Sequence, residues 1–256
     1  MNIVGIIPAR MSSSRFPGKP LAKICGIPMI GHVYFRSKIC KKLDKLYVAT
    51  CDKEIADYIT SIGGEVIMTA NTHERASERT AEALLKIEKK ADKKFDIVVM
   101  IQGDEPMVFP QMIEESIDPL LRDNAAQVVN LVKDLRSKQD KDDPNQVKVV
   151  FDKDNYALYF SREPIPSQKK INKDVIMYRQ VPIISFKRDF LLIFNKLKPT
   201  PLEIIESVDM LRIIEHGYEV KVALTEFEIY SVDTPRDLIR VQRLMKKDKL
   251  YKVLNP

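Results

Sequence analysis

Short apolar runs alternate with helix-period segments through the first half of the chain. Residues 3–7, Ile-Val-Gly-Ile-Ile, have the length and β-branched content of a buried strand. Pro8, with no N–H to give a ladder, is expected to end it. Residues 21–28 read as a short hairpin or turn, and residues 29–38 place Met29, Ile30, Val33 and Tyr34 on one side of a helix. A second strand covers 46–50. A helix over 53–62, apolar at positions 55, 56, 59 and 62, is stopped by Gly63-Gly64. Strand 65–68 leads through a polar loop, 69–77, to a helix over 78–90. The most strand-like run, residues 97–101, enters Gln102-Gly103-Asp104-Glu105-Pro106-Met107, and a helix follows over 110–122. This alternation predicts an α/β fold, a parallel sheet with helices on its faces. The loops 8–20 and 102–107 both follow strands expected near the middle of that sheet, so they can meet at one edge.

The second half is less regular. Strands are predicted at 127–132 and 147–151, joined by a charged loop, 133–144. The apolar run 156–160 leads to Ser161-Arg162-Glu163-Pro164-Ile165-Pro166, where two prolines impose an extended path. Residues 168–174 form a lysine-rich loop, expected to be mobile. Residues 177–186 have strand character interrupted by Pro182. Segments 189–195 and 202–216 read as helices, Gly217 ending the second, and 220–224 and 227–230 read as strands. The last amphipathic helix, 235–246, has Asp233 or Thr234 as its N-cap and Pro235 at its first position. No repeat or linker separates two domains. The expectation is one domain over 1–256, with 152–200 as a small lobe or dimer contact.

Composition narrows the class without changing this outline. A chain of 256 residues with 45% hydrophobic and 30% charged residues can bury a core without disulfides or metals. The net charge of +6, from 42 basic and 36 acidic residues, is spread over lysine pairs rather than gathered in a nucleic-acid stripe. Cys25, Cys40 and Cys51 lack CxxC spacing and read as reduced thiols. The N-terminal apolar run is too short for a signal peptide, and no run approaches the ~18 residues of a membrane span. A cytoplasmic protein with no nucleic-acid or membrane partner is expected.

Candidate chemistry gathers after the first strand. Arg10, Arg15 and Lys19 lie in a loop with three serines, Pro17, Gly18 and Pro20. A solvated turn is one reading. A polyanion site is the other, and it is favoured by position, because ligands of open α/β sheets bind at the carboxyl ends of strands. If the ligand is a triphosphate, attack on phosphorus calls for a divalent metal such as Mg²⁺, which takes one or two carboxylates. Asp104, in the turn after the central strand, is the first candidate and Asp233 the second. For Asp233 a helix N-cap is the competing role. His32, His73 and His216 are isolated from one another and from nucleophile partners. Neither GxGxxG after the first strand nor GxxxxGK[ST] is present. Direct in-line transfer suits such a chain.

The motifs also carry a family likeness. Ile6-Ile7-Pro8-Ala9-Arg10, Ser14-Arg15-Phe16-Pro17-Gly18-Lys19-Pro20-Leu21, the segment from Gln102 to Met107 and Val232-Asp233-Thr234-Pro235 resemble the sugar-acid cytidylyltransferases, above all those for 3-deoxy-manno-octulosonate (Kdo). Further matches, among them Met68-Thr69, His73 with Glu78-Arg79, Val147-Lys148, Tyr159-Phe160-Ser161-Arg162 and Pro201-Leu202-Glu203, extend it over nearly the whole chain. The resemblance implies a Rossmann-like nucleotidyltransferase with a mixed, mostly parallel sheet and a small dimerisation lobe. It also implies a homodimer and Mg²⁺-dependent transfer of CMP from CTP to an acidic sugar. On the matching positions, Arg10, Ser13, Arg15 and Lys19, with Pro8 and Ala9, would hold the triphosphate. Thr69 and Arg79 would serve the cytosine side, and Asp104 and Asp233 the metal. Arg10, Lys19, Asp104 and Asp233 would form the catalytic set. Gln102 and Arg162 would face the sugar acid, the guanidinium suiting a carboxylate.

Departures from the family pattern cluster on the acceptor side. Arg75-Ala76 stands where the family has Ser-Gly, and residues 180–184 replace a His-x-Gly-x-Tyr run. Lost hydroxyl and imidazole contacts change discrimination strongly, and Arg75, Gln180, Glu203 or Glu206 would supply polar contacts instead. The acceptor is therefore read as Kdo or a related 2-keto-3-deoxy acid. The alternatives are a different acceptor (a modified Kdo, another acid, a phosphonate or a phosphate) or a non-catalytic nucleotide-binding homologue.

Overall fold

The computed structural model describes residues 1–13, 15–170 and 175–254. Ser14 of the basic loop and residues 171–174 of the lysine-rich loop lie outside the described residues. The chain forms two compact units, Met1–Glu114 with Glu228–Pro256, and Glu115–Phe227. In chain order the first holds β1 (Ile3–Ala9), β2 (Lys23–Ile24), β3 (Ile27–Pro28), α1 (Met29–Lys38), β4 (Lys45–Thr50), α2 (Lys53–Ser61), β5 (Glu65–Met68), α3 (Ala76–Ala91) and β6 (Ile97–Ile101). Helix α4 (Pro110–Arg122) carries the chain into the second unit. That unit holds β7 (Val128–Leu135), α5 (Lys138–Asp142), β8 (Lys148–Phe151), β9 (Ala157–Ser161), β10 (Met177–Lys187), α6 (Arg188–Phe194), α7 (Pro201–Glu206), α8 (Met210–Glu215) and β11 (Lys221–Leu224). The chain then returns to the first unit as α9 (Pro235–Met245) and α10 (Lys249–Leu254).

In the first unit β1 pairs in parallel with β6 on one side and β4 on the other, and β5 adds beyond β4. Both β1 and β6 are buried along their whole length, which is why they read as unbroken apolar runs. Helices α1, α2 and α3 pack against this sheet. The two-residue link Cys25-Gly26, both at positive φ, closes the predicted hairpin between β2 and β3. In the second unit β7 pairs antiparallel with β10 and parallel with β11, and β8 pairs antiparallel with β10 and β9. The result is an α/β fold with a mixed, mostly parallel sheet. Pro182 falls where the register of β10 on β7 shifts, between Gln180 and Ile184, as its missing N–H requires. Among the described residues no helix is long and apolar enough to cross a membrane.

Several local expectations give way. Pro8 does not end β1. The ladder to β6 stops at Ile6 while that to β4 runs on through Ala9, so the proline sits where the strand is paired on one side only. Helix α3 begins two residues before the predicted Glu78, because the Glu78 carboxylate accepts from the backbone N–H groups of Glu74 (3.0 Å) and Arg75 (3.1 Å). The charged loop 133–144 contains the end of β7 and a short helix, α5, capped by Ser137 Oγ accepting from Asp140 N. The single helix predicted over 202–216 is two, broken at Ser207, which has φ 53°. Residues 227–230 are not a strand, and the N–H of Phe227 turns back to Thr225 Oγ1 (3.3 Å).

Candidate active site

Two acidic turns and one basic loop of the first unit converge. Gly18 holds φ 72°, a left-handed conformation that favours glycine, and its N–H closes on the Met11 carbonyl (3.0 Å). This bend starts the short 3₁₀ turn Lys19–Leu21 and fixes where the Lys19 side chain leaves the loop. Lys19 Nζ donates to Asp104 Oδ2 (2.8 Å) and Asp233 Oδ1 (3.1 Å), and Arg15 Nη2 lies 3.0 Å from the same Asp233 oxygen. Burial pulls the Lys19 pKa down, but the two carboxylates outweigh it and leave it raised above 10.5. The ammonium is therefore charged at neutral pH.

The turn bearing Asp104 presses closely on β1. A Cβ added at Gly103 would come within 3.1 Å of the Pro8 carbonyl oxygen and of Ile30 Cδ1, so glycine permits the approach. The second acidic turn is stapled to the first: Val232 N–H donates to the Asp104 carbonyl (3.0 Å), and Ser231 Oγ donates to Glu105. Val232, Met107, Ile24, Met29, Val241 and Met245 form a buried cluster beneath both turns. The N-cap of α9 is Thr234, whose hydroxyl accepts from Asp237 N while the Asp237 carboxylate accepts from Thr234 N (2.8 Å). Asp233 is thus relieved of capping and turns its carboxylate toward Lys19 and Arg15.

A wall runs beside this cluster. Thr69, at the end of β5, donates its N–H to the Thr50 carbonyl (2.8 Å). Arg79, 3% exposed, gives Nη1 to Thr69 Oγ1 and to the Ala70 carbonyl (3.2 Å), while its buried Nη2 finds no acceptor among the described residues. Arg10 Nη1 donates to the His73 carbonyl (3.1 Å). Asp52, two residues past the end of β4, takes the Met11 N–H on Oδ2 (2.8 Å) and so anchors the basic loop. Glu78 and Glu82 were overlooked as holders of the 69–75 turn. The signal available was their spacing from Arg79 on α3. Pro8 and Ala9 are buried in β1, Ser13 and Arg75 are half-buried, and Gln102 opens the acidic turn with its carbonyl accepting from Glu105 N (3.4 Å).

The remaining predicted residues lie in the second unit, where protein groups already engage them. Arg162 donates Nε to the Glu206 carbonyl (2.6 Å) and Nη1 to the Pro144 carbonyl (3.0 Å). The Glu206 carboxylate accepts from Arg162 N (2.8 Å) and Ser161 Oγ (2.9 Å). Fully buried Lys148 donates to the carbonyls of Asp143 (2.9 Å) and Arg162, and burial pulls its pKa below the ordinary range. Gln180 Nε2 donates to Asn130 Oδ1 (2.6 Å), and Glu203 is locked to Arg212 by bonds of 2.7 and 2.5 Å.

Among the described residues no three or more His, Cys, Asp or Glu side chains converge on one metal position. The pair Asp104 and Asp233, with side chains 29% and 30% exposed, nevertheless offers the donor set Mg²⁺ takes, one or two carboxylates with water and substrate oxygens completing the shell. Two carboxylates, an ammonium and a guanidinium, gathered by the loops after β1 and β6 and the turn before α9, mark the nucleotidyltransferase class. Comparison with known proteins is more particular. A cytidylyltransferase family model matches residues 4–225. A 3-deoxy-manno-octulosonate cytidylyltransferase of Geobacter metallireducens is 41% identical over 251 residues, covering 94% of this chain and 96% of that protein. The mitochondrial enzyme of the same name from Arabidopsis thaliana is 42% identical over 247 residues, covering 96% of this chain and 83% of that protein. A solved CMP:2-keto-3-deoxy-manno-octonic acid synthetase in complex with CTP superposes with a TM-score of 0.88 at 35% identity, over 96% of this chain and 99% of that one. The chain belongs to the cytidylyltransferase family, among the 3-deoxy-manno-octulosonate cytidylyltransferases.

Proposed function

We propose that this protein transfers CMP from CTP to the anomeric hydroxyl of Kdo, releasing pyrophosphate, as a Mg²⁺-dependent homodimer. The observation that carries the reading is the convergence of Lys19, Arg15, Asp104 and Asp233 in one cluster. Arg10, Ser13, Arg15 and Lys19, with the backbone of Pro8 and Ala9, hold the triphosphate. Thr69 and Arg79 take the cytosine, the open Arg79 Nη2 being a donor suited to a base acceptor. Asp104 and Asp233 would hold Mg²⁺, which supplies neutralising charge to the phosphate oxygens. The chain's own groups orient the nucleotide so that the sugar hydroxyl attacks the α-phosphorus as the bond to the β-phosphate breaks. For the sugar acid the candidates are Gln102 and Arg75 in the first unit and Arg162, Gln180 and Glu206 in the second, whereas Glu203, buried and locked to Arg212, is withdrawn from that role. Arg75 at the head of α3 favours a second acceptor reading, a modified Kdo or another acid bearing more negative charge.

Purified protein with CTP, Mg²⁺ and a panel of sugar acids is expected to release pyrophosphate with Kdo or a near relative and to yield a CMP conjugate by mass spectrometry. Chelation should stop release and excess Mg²⁺ restore it, while CTP outcompetes UTP, GTP and ATP in stabilising the fold. Folded, CTP-binding protein that releases no pyrophosphate with any acceptor would refute transfer and leave a nucleotide-binding homologue. Sedimentation as a monomer would refute the homodimer.

A further inference from the structure

The loop 69–75 carries Thr69 at one end and, near the other, the His73 carbonyl that receives Arg10. Nothing in its own sequence, Thr-Ala-Asn-Thr-His-Glu-Arg, makes a rigid turn, yet α3 grips it at three points. Glu78 takes the N–H groups of Glu74 and Arg75, and Arg79 takes Thr69 and the Ala70 carbonyl. The third grip is Glu82, one turn beyond Glu78 and on the same side of the helix. Its Oε2 accepts the Ala70 N–H (2.9 Å) and meets His73 Nε2, so one carboxylate oxygen joins the two ends of the 70–73 arc. Its other oxygen pairs with Lys86 Nζ (2.7 Å), which itself donates to the Met68 carbonyl (2.8 Å).

We propose that Glu82 is a positioning residue of the nucleotide site, holding the 69–75 turn in the shape that presents Thr69 to the base and anchors Arg10 beside the triphosphate. The inference rests on the reading of this site as one for CTP. Burial works against the ionised carboxyl, but Lys86, the Ala70 N–H and His73 outweigh it and hold its pKa at about 2. The grip therefore stays in place across the whole neutral range. A merely structural role is the simple i,i+4 pair with Lys86, which would be common on an exposed helix face.

Two variants separate the roles. Glu82→Ala removes the third grip, its hold on Ala70 and His73, and its CTP dissociation constant and KM for CTP should rise about tenfold, the effect of one charge-assisted bond. The kcat at saturating CTP should stay within about threefold and the acceptor KM should not move. Glu82→Gln ends the ion pair with Lys86 but keeps a carbonyl oxygen for the Ala70 N–H, and it should recover most of the affinity. CTP binding is measured by titration calorimetry, with thermal unfolding of the nucleotide-free proteins alongside. Wild-type affinity in Glu82→Ala, or Glu82→Gln as weak as Glu82→Ala, overturns the inference while leaving the function intact. If Glu82→Ala does not fold, the Gln variant decides: near-wild-type affinity supports the positioning role and a tenfold loss overturns it. Wild-type protein that binds no CTP refutes the functional reading, and the inference falls with it.

Discussion

Arg212→Met tests whether the buried polar groups of the second unit serve stability. Glu203 and Arg212 are 1% and 5% exposed at their side chains and share two bonds, 2.7 and 2.5 Å long. The guanidinium also lies over the Phe194 ring, 5.2 Å from its centroid. Removing the arginine takes the cation away from a buried carboxylate, a loss of about 3–5 kcal/mol for a buried pair. At about 2–4 °C per kcal/mol for a chain of this size, the melting temperature should fall by roughly 6–20 °C. Replacing both partners, Glu203→Leu with Arg212→Met, should recover most of that, because two apolar side chains leave no orphaned charge. Melts followed by circular dichroism read the first effect, and acceptor kinetics below the transition should show kcat and KM little changed. A melting temperature within about 1 °C of wild type, with a raised acceptor KM, would refute the reasoning and make Glu203 a substrate residue.

The other predictions are briefer. Asp104→Ala and Asp233→Ala should each lower turnover about a thousandfold, read as pyrophosphate release, while CTP binding stays within about tenfold. The melting temperature of Asp233→Ala should barely move, since partly exposed ion pairs contribute about 0–1 kcal/mol. Thr234→Ala should remove about 1 kcal/mol with the α9 cap, seen as a lower urea midpoint. Glu82 titrates at about 2 in the folded chain against 4.5 for an unperturbed glutamate. Its depressed value gives stability present above pH 4.5 and lost as pH falls toward 2, so the melting difference between wild type and Glu82→Gln should shrink over that window.

The first unit was largely legible because its strands are buried on both faces and its helices keep a clean period. The runs 29–38, 65–68, 97–101 and 110–122 come out with the predicted limits. The meeting of the loops after β1 and β6 followed from strand order, and Lys19 on Asp104 realises it. Misreadings arose where tertiary contacts override local signals. Pro8 continues β1 because one neighbour falls away. A serine at positive φ, not a glycine or proline, breaks the helix over 202–216. Helix α10 lies past the last predicted helix and is held by partners distant in sequence: Asp248 receives buried Arg36, and the Tyr251 hydroxyl reaches the Cys25 carbonyl (3.3 Å). At the site, a sequence shows which side chains are polar but not which partners they hold. Asp52, Glu78 and Glu82 were therefore invisible as supports, and the contacts of Glu203 with Arg212 and Gln180 with Asn130 emerged only from the fold.

The neighbours Asp233 and Thr234 divide two tasks that one acidic residue at a helix start often combines. With the hydroxyl closing the helix, the carboxylate is free to exchange partners without disturbing anything behind it. Its reach is then set by a single peptide joined to a fixed axis, like a short lever on a clamped shaft. Lengthening the side chain at 233 would move the charge away from Lys19, whereas altering Thr234 would loosen the shaft itself.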